Sequence, residues 1–265
     1  PAADIRIPRT LSRPITREVN RQAVIAAAPK VAHLTTEFII KALRADGRGM
    51  NLRKDDVLVH PGELSATNPL PQRLDVRIVE DILPILPSHI LAIRTNSYHL
   101  PPSLQNRVLL IPTHHVVIAA NCTNIILPPS QLPIPHSVAT FSKDRYRHLI
   151  TIPLIPFNIP SPETYRTLQD FLYSHDRELF LRDIYPHTHP LPAKLLGPPH
   201  PSHHHAIAKE LAKVCTIHTL AKAILTINGI WRNMWTLGVV DDEMWMVVDT
   251  AWESAILAVL ILTHK

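Results

Sequence analysis

The chain has 265 residues, 46% hydrophobic and 18% charged, with a net charge of +5; that supplies a core for one large or two small units and excludes a disordered chain. Proline is abundant at 26 and glycine scarce at 6, so elements are often interrupted, and no GxGxxG or Walker-type phosphate loop occurs. Cys122 and Cys215 stand far apart, which fits reduced thiols in a nuclear or cytoplasmic setting rather than a disulfide framework.

Residues 1–33 read as an irregular basic arm, with Arg6, Arg9, Arg13, Arg17, Arg21 and Lys30 against Asp4 and Glu18. The arm offers a contact for nucleic acid or an acidic partner, although no aromatic residue interleaves the arginines and a solvated terminus is the plainer account. Residues 1–21 hold no apolar segment of signal-peptide type. A helix follows, capped by Thr36 and carrying Phe38, Ile39, Ile40 and Leu43, and Gly47 and Gly49 are expected to stop it. From about 51 to 160 the signals are strand-like: 57–59, the alternation of Leu74, Val76 and Ile78, the pairs at 82–83 and 85–86, and the runs 107–111, 116–119, 125–127 and 149–155. Pro153 is expected to push the second half of the last run to a sheet edge. Residues 128–146 read as a proline-rich loop or insertion.

From 161 the period becomes helical. Ser161, Pro162 and Glu163 start a helix with Tyr165, Leu168, Phe171 and Leu172 on one face. Asp176 caps a second, bearing Leu179, Phe180 and Ile184 and ended by Pro186. After a loop rich in proline and histidine, Ser202 opens a helix with Ile207, Leu211, Val214 and Cys215, and another with Leu220, Ile224, Ile227, Trp231 and Met234 runs to Gly238. Asp241, Asp242 and Glu243 start the last, with Met244, Val248 and Trp252. The longest apolar run, 255–262, is far short of the roughly 20 residues of a membrane span. Strands followed by helices give an α+β class. The expected organisation is the arm, an α+β domain over 34–190 with its insertion near 128–146, and a helical region over 191–265 packed on it.

His187 and His189, with His200, His203, His204 and His205 after them, would suit a metal-dependent hydrolase, but a loop between prolines is more simply a solvated linker. The pair His114 and His115 reads as a loop edge before a strand. Cys215 with His218 three residues on has a nucleophile's spacing, yet a thiol on an apolar stripe is more simply core. Asp249 and Glu253 read as an exposed face. All four tryptophans fall between 231 and 252, and they either build the helical core or leave one or two exposed as anchors for a partner. The residues expected to contact a partner protein are Tyr173, Trp231, Trp235 and Trp245. The arginines at 6, 9, 13, 17 and 21 are the expected contact for nucleic acid or an acidic partner. No catalytic, cofactor-binding or metal-binding residue is assigned.

Two segments resemble known families. In IPSPETYRTLQDFLYSHD over 159–176, Pro162, Tyr165, Leu168, Phe171, Leu172 and Tyr173 match a helix signature of BTB/POZ domains, and 88–93 resembles an upstream segment of the same fold. NGIWRNMWTLGVVDDEMWMVVDTAWE over 228–253, together with the PETYRTLQDFLY helix, resembles the clampless-type proteins of basidiomycete fungi. The matching pieces are NGIWRN, then LGVVDDEMW, then DTAWE. That resemblance implies a regulator of sexual development, needed for clamp-cell formation and dikaryon growth. It would act in the nucleus or cytoplasm through contacts with regulatory proteins, mating-type transcription factors among them. The resemblance implies no catalytic residue; no cofactor and no membrane partner are expected.

Overall fold

The computed structural model describes residues 8–15, 18–51, 57–59, 69–79, 86–95, 107–125, 127–128, 135–136, 146–185 and 203–264. Within them the order is α1 (Arg21–Ala27), a 3-10 turn (Pro29–Val31), α2 (Thr36–Met50), β1 (Val57–Val59), β2 (Arg73–Val79), β3 (His89–Thr95), β4 (Arg107–Thr113), α3 (His115–Asn121), β5 (Pro135–His136), β6 (Tyr146–Phe157), a second 3-10 turn (Pro162–Thr164), α4 (Tyr165–Ser174), α5 (Arg177–Ile184), α6 (His203–Val214), α7 (Ile217–Leu237) and α8 (Asp242–Thr263). This is the α+β arrangement that the sequence implies, with the sheet in the first half and helices in the second. The pairs expected at 82–83 and 85, and all of 128–146 except 128, 135, 136 and 146, lie outside the described residues.

One sheet holds the strands in the order β1-β2-β6-β3-β4, with β5 added beside β6. β6 is its axis. Its first part pairs antiparallel with β2, down to Arg73 opposite Pro153, and its last part pairs parallel with β3, from Ile90 opposite Leu154 to Ile93 opposite Phe157. Pro153 therefore does not mark an edge. It sits where the strand changes neighbours, and the next amide, Leu154 N–H, donates to the Gln72 carbonyl at 2.9 Å. A residue without an N–H is tolerated at such a changeover because no ladder bond is lost there. Val76, Ile90, Ala92, Ile150, Ile152 and Leu154 close one face of the sheet into a small apolar core.

Several other local expectations change. The segment after residue 20 is not irregular, because the Asn20 side chain accepts from the Gln22 and Ala23 amides at 3.0 and 3.2 Å and caps α1. Thr35, not Thr36, caps α2, its hydroxyl accepting from Phe38 N–H at 3.2 Å. Neither Gly47 nor Gly49 ends that helix, which continues to Met50. At Gly47 the helix meets the carbonyl of Tyr173, and a Cβ there would collide with that backbone oxygen. Glycine permits the close approach of α2 and α4 rather than a stop. The run 116–119, expected as a strand, lies in helix α3, packed against α1 and α2.

The largest core is shared by both halves. Leu91, Ile93 and Ile111 from the sheet join Tyr165, Phe171 and Tyr173 from α4 and Leu211, Ile230, Met234, Trp245, Val248 and Trp252 from α6 to α8. α8 packs on both α6 and α7. By length and composition alone, α8 is apolar enough to cross a membrane, beyond what the run 255–262 suggests. In the fold it is a core helix, with Met244, Trp245, Val247, Val248, Ala251, Trp252, Ala255 and Ala258 buried.

Candidate functional site

The residues of the C-terminal motifs divide into two groups. The first builds a junction. Asn233 is fully buried on α7, and its side-chain oxygen accepts from Ser161 N–H at 2.9 Å while its amide donates to the Ser161 carbonyl at 2.7 Å and the Thr164 hydroxyl at 3.1 Å. One turn earlier, Gly229 leaves room for that same turn, since a Cβ there would strike the Ser161 hydroxyl and lie 2.9 Å from a Thr164 methyl. Gly238 ends α7 with φ +64, the left-handed cap that glycine adopts without strain. Val239 pairs with Cys122 in a bridge, and the Trp245 indole N–H donates to the Val239 carbonyl at 2.9 Å.

Asp241 locks this junction to the first half. Its side chain caps α8 by accepting from Glu243 and Met244 N–H at 2.9 and 3.2 Å. Its other oxygen lies 3.2 Å from an Arg44 nitrogen on α2 and 3.0 Å from His175 Nδ1. Burial alone would raise the Asp241 carboxyl, but His175, Arg44 and the Met244 amide outweigh it and hold the group below its ordinary range. His175 adopts φ 47, the left-handed conformation that ends α4, and so reaches this contact.

The second group faces the N-terminal arm. The indole N–H of Trp252 on α8 donates to the Pro8 carbonyl at 3.1 Å, and that of Trp231 on α7 donates to the Ser12 carbonyl at 3.0 Å. Between them Leu11 packs against the main core. Arg13 Nε lies 2.7 Å from Asp249 Oδ2 on α8. One turn further, Glu253 holds His204 Nδ1 at 2.6 Å. Burial, helped by the nearby Glu253 charge, keeps the Asp249 carboxyl above its ordinary range in spite of Arg13 and His204. The chain bends at Arg9 and Thr10, and two indoles on neighbouring helices hold this short stretch of backbone at both ends. Asp249 and Glu253 are thus engaged rather than an exposed face.

The expected contact residues separate accordingly. Tyr173 and Trp245 are each 1% exposed and cannot meet a partner without unfolding, a correction that follows from their polar atoms. The Tyr173 hydroxyl accepts from His114 N–H at 2.7 Å and stands 3.0 Å from His114 Nδ1, and burial pushes that phenol up to about 12. Trp231 is half-buried under the arm. Trp235 is 45% exposed, one helical turn further along α7. Among the arginines, Arg13 pairs with Asp249, Arg21 donates to the Ala32 carbonyl at 3.2 Å and Arg9 is exposed; Arg6 and Arg17 lie outside the described residues. So do His187, His189 and His200, and among the described residues no group of three metal-ligating side chains forms.

Sequence reasoning missed a buried histidine cluster. His89, His114 and His115 are all buried where β3, β4 and α3 meet. The rings of His89 and His115 meet edge to face at 5.5 Å. His89 Nε2 lies 3.1 Å from the Pro128 carbonyl, which only accepts, so Nε2 carries the proton and Nδ1 is left to accept from the Ser88 hydroxyl at 2.9 Å. His115 N–H donates to that same hydroxyl at 2.7 Å, while His115 Nδ1 is buried with no hydrogen-bond partner among the described residues. Burial, then the neighbouring His89, lowers the His115 imidazole to about 4. Both of these hydrogen bonds of the His89 ring are to groups of the protein itself.

Two family models match this chain, the Clampless protein 1 N-terminal domain over residues 14–160 and the Clampless protein 1 C-terminal domain over residues 178–265. The chain belongs to the clampless family. No curated protein and no solved structure matches it. The clampless resemblance read from NGIWRN, LGVVDDEMW and DTAWE is thereby shown, whereas nothing in the comparisons supports the BTB/POZ resemblance of 159–176. Membership gives the chain a developmental-regulator role in fungi. Asn233, Trp231, Asp249 and Trp252 lie within the clampless C-terminal domain, Ser161 and Thr164 lie between the two matched domains, and the Asp241–Arg44 contact ties the C-terminal domain to the N-terminal one.

Proposed function

We propose that this clampless protein regulates sexual development, in clamp-cell formation and dikaryon growth, without catalysis and by binding other proteins on the surface formed by α7 and α8. The observation that carries this reading is the pair of indole donors, Trp231 and Trp252, holding two carbonyls of one short segment of main chain across two helices. Donors aimed at backbone carbonyls are a recurrent means of binding peptide segments. Trp235, exposed one turn along, extends the surface with the residue type most enriched at binding hot spots. The partners are regulatory proteins, mating-type transcription factors among them, met in the nucleus or cytoplasm. Two free buried thiols suit those compartments. The non-catalytic reading is supported by Cys122, whose thiol burial pushes up to about 12, so that it stays protonated and unreactive.

Clamp-cell counting in a dikaryon that lacks its own copy of the gene tests this. The wild-type chain restores clamp cells. Trp235→Ala is expected to lower their number at least tenfold while its urea unfolding midpoint stays that of wild type. Full restoration by a correctly folded Trp235→Ala protein would reject the surface.

A further inference from the structure

The arm fills its seat imperfectly. Arg13 places Nε and Nη2 at 2.7 and 2.6 Å from the same Asp249 oxygen, Oδ2. Asp249 Oδ1 is buried with no hydrogen-bond partner among the described residues. A guanidinium fits a carboxylate best as a fork, with one N–H on each oxygen, so the seat has an acceptor that the described residues of the arm do not use. Most of the arm's side chains add little, since Arg9, Thr10 and Ser12 are exposed and Ile15 is 95% exposed. Among the described residues, two indole hydrogen bonds, one ion pair and Leu11 hold it. The clampless domains include positions 231, 249 and 252 but begin at residue 14, just past Arg13.

We propose that residues 8–13 are a displaceable cover, and that the seat takes a short, arginine-containing segment of a partner protein. The partner's guanidinium spans both oxygens of Asp249, and its main-chain carbonyls accept the indole N–H groups of Trp231 and Trp252. An apolar residue ahead of the arginine takes the place of Leu11. The negative pair Asp249 and Glu253 favours a basic segment over an acidic one. This inference rests on the protein-contact reading above and names the chemistry of the partner.

The test uses the full chain and a fluorescent peptide with the arm sequence PRTLSRPI, residues 8–15, as the stand-in for such a segment. The double substitution Leu11→Ala, Arg13→Ala frees the seat. Fluorescence anisotropy is expected to show the peptide binding this variant at least tenfold more tightly than wild type, whose seat is occupied. Adding Asp249→Asn to the freed chain, or replacing the peptide's second arginine by lysine, is expected to weaken binding at least fivefold. Absence of binding to a freed variant that retains the wild-type far-UV circular dichroism spectrum would overturn the proposal, as would equal binding to freed and occupied chains. Light scattering that showed a wild-type dimer split by the peptide would assign the seat to the arm of a second copy and overturn the partner assignment. Peptide binding as expected, with clamp cells unaffected by Trp235→Ala, would keep the seat and sink only the wider surface.

Discussion

Trp245→Ala is expected to cost about 3–5 kcal/mol of folding stability, the range for removing a large buried aromatic side chain. Trp245 is 1% exposed, and its indole N–H satisfies the Val239 carbonyl at 2.9 Å, so truncation opens a cavity and leaves a buried acceptor without its donor. Val239 also carries the bridge to Cys122, and its neighbour Val240 donates to the Asn121 carbonyl at 3.0 Å, so the damage falls on the joint between the α7–α8 turn and α3. Trp235→Ala, at 45% exposure on the same stretch of chain, is expected to stay within about 0.5 kcal/mol of wild type. Urea unfolding of the two variants side by side checks both values. Near-equal costs would mean that the two tryptophans are not divided between core and surface.

Acidification supplies the second large effect. His115 is buried with Nδ1 unpartnered among the described residues, and its imidazole is lowered to about 4 from an ordinary 6.5. As pH falls, the unfolded chain takes up this proton first, so folding loses stability through the window between about 6.5 and about 4 and loses no more from this group below it. At about 1.4 kcal/mol per unit, the loss approaches 3 kcal/mol between pH 7 and pH 4. His89, the charged-capable neighbour across the ring contact, is also lowered by burial, partly offset by the Pro128 carbonyl, and acts in the same direction. Asp241 titrates below its ordinary range, so the stability it confers is lost only at the acid end, below this window. Stability measured by urea at several pH values should fall steeply for wild type and much less for His115→Asn. An equal slope in that variant would remove His115 as the cause.

The caps of α5, α7 and α8 were legible because their signals are local, whereas the Asn20 cap of α1 was missed and that of α2 was placed one residue late. Asp176 and Asp241 accept from the amides that the capping rule assigns to them, and Gly238 takes the left-handed cap. α3 was not legible, because Val116, Val117 and Ile118 are β-branched and suggest a strand. Packing of the segment on α1 and α2, with the Tyr173 hydroxyl on the His114 amide at its start, overrides that preference. Gly47 was misread for a related reason, since a stop and a close helix contact demand the same residue. The contact motifs were visible as a family pattern, but their division into junction and seat was not. Asn233 meets Ser161, and Trp252 meets Pro8, across separations that carry no periodic signal. Asp249 looked solvated because Arg13 lies at the other end of the chain.

The arm's place between two tryptophans can be seen most directly in the indole N–H resonances of the 15N-labelled full chain. The substitution pair Leu11→Ala, Arg13→Ala is expected to shift the signals of Trp231 and Trp252, speed their exchange with solvent, and leave that of Trp245 where it was. If the Trp231 and Trp252 signals hold their positions while the arm is altered, the arm does not lie in the seat described here.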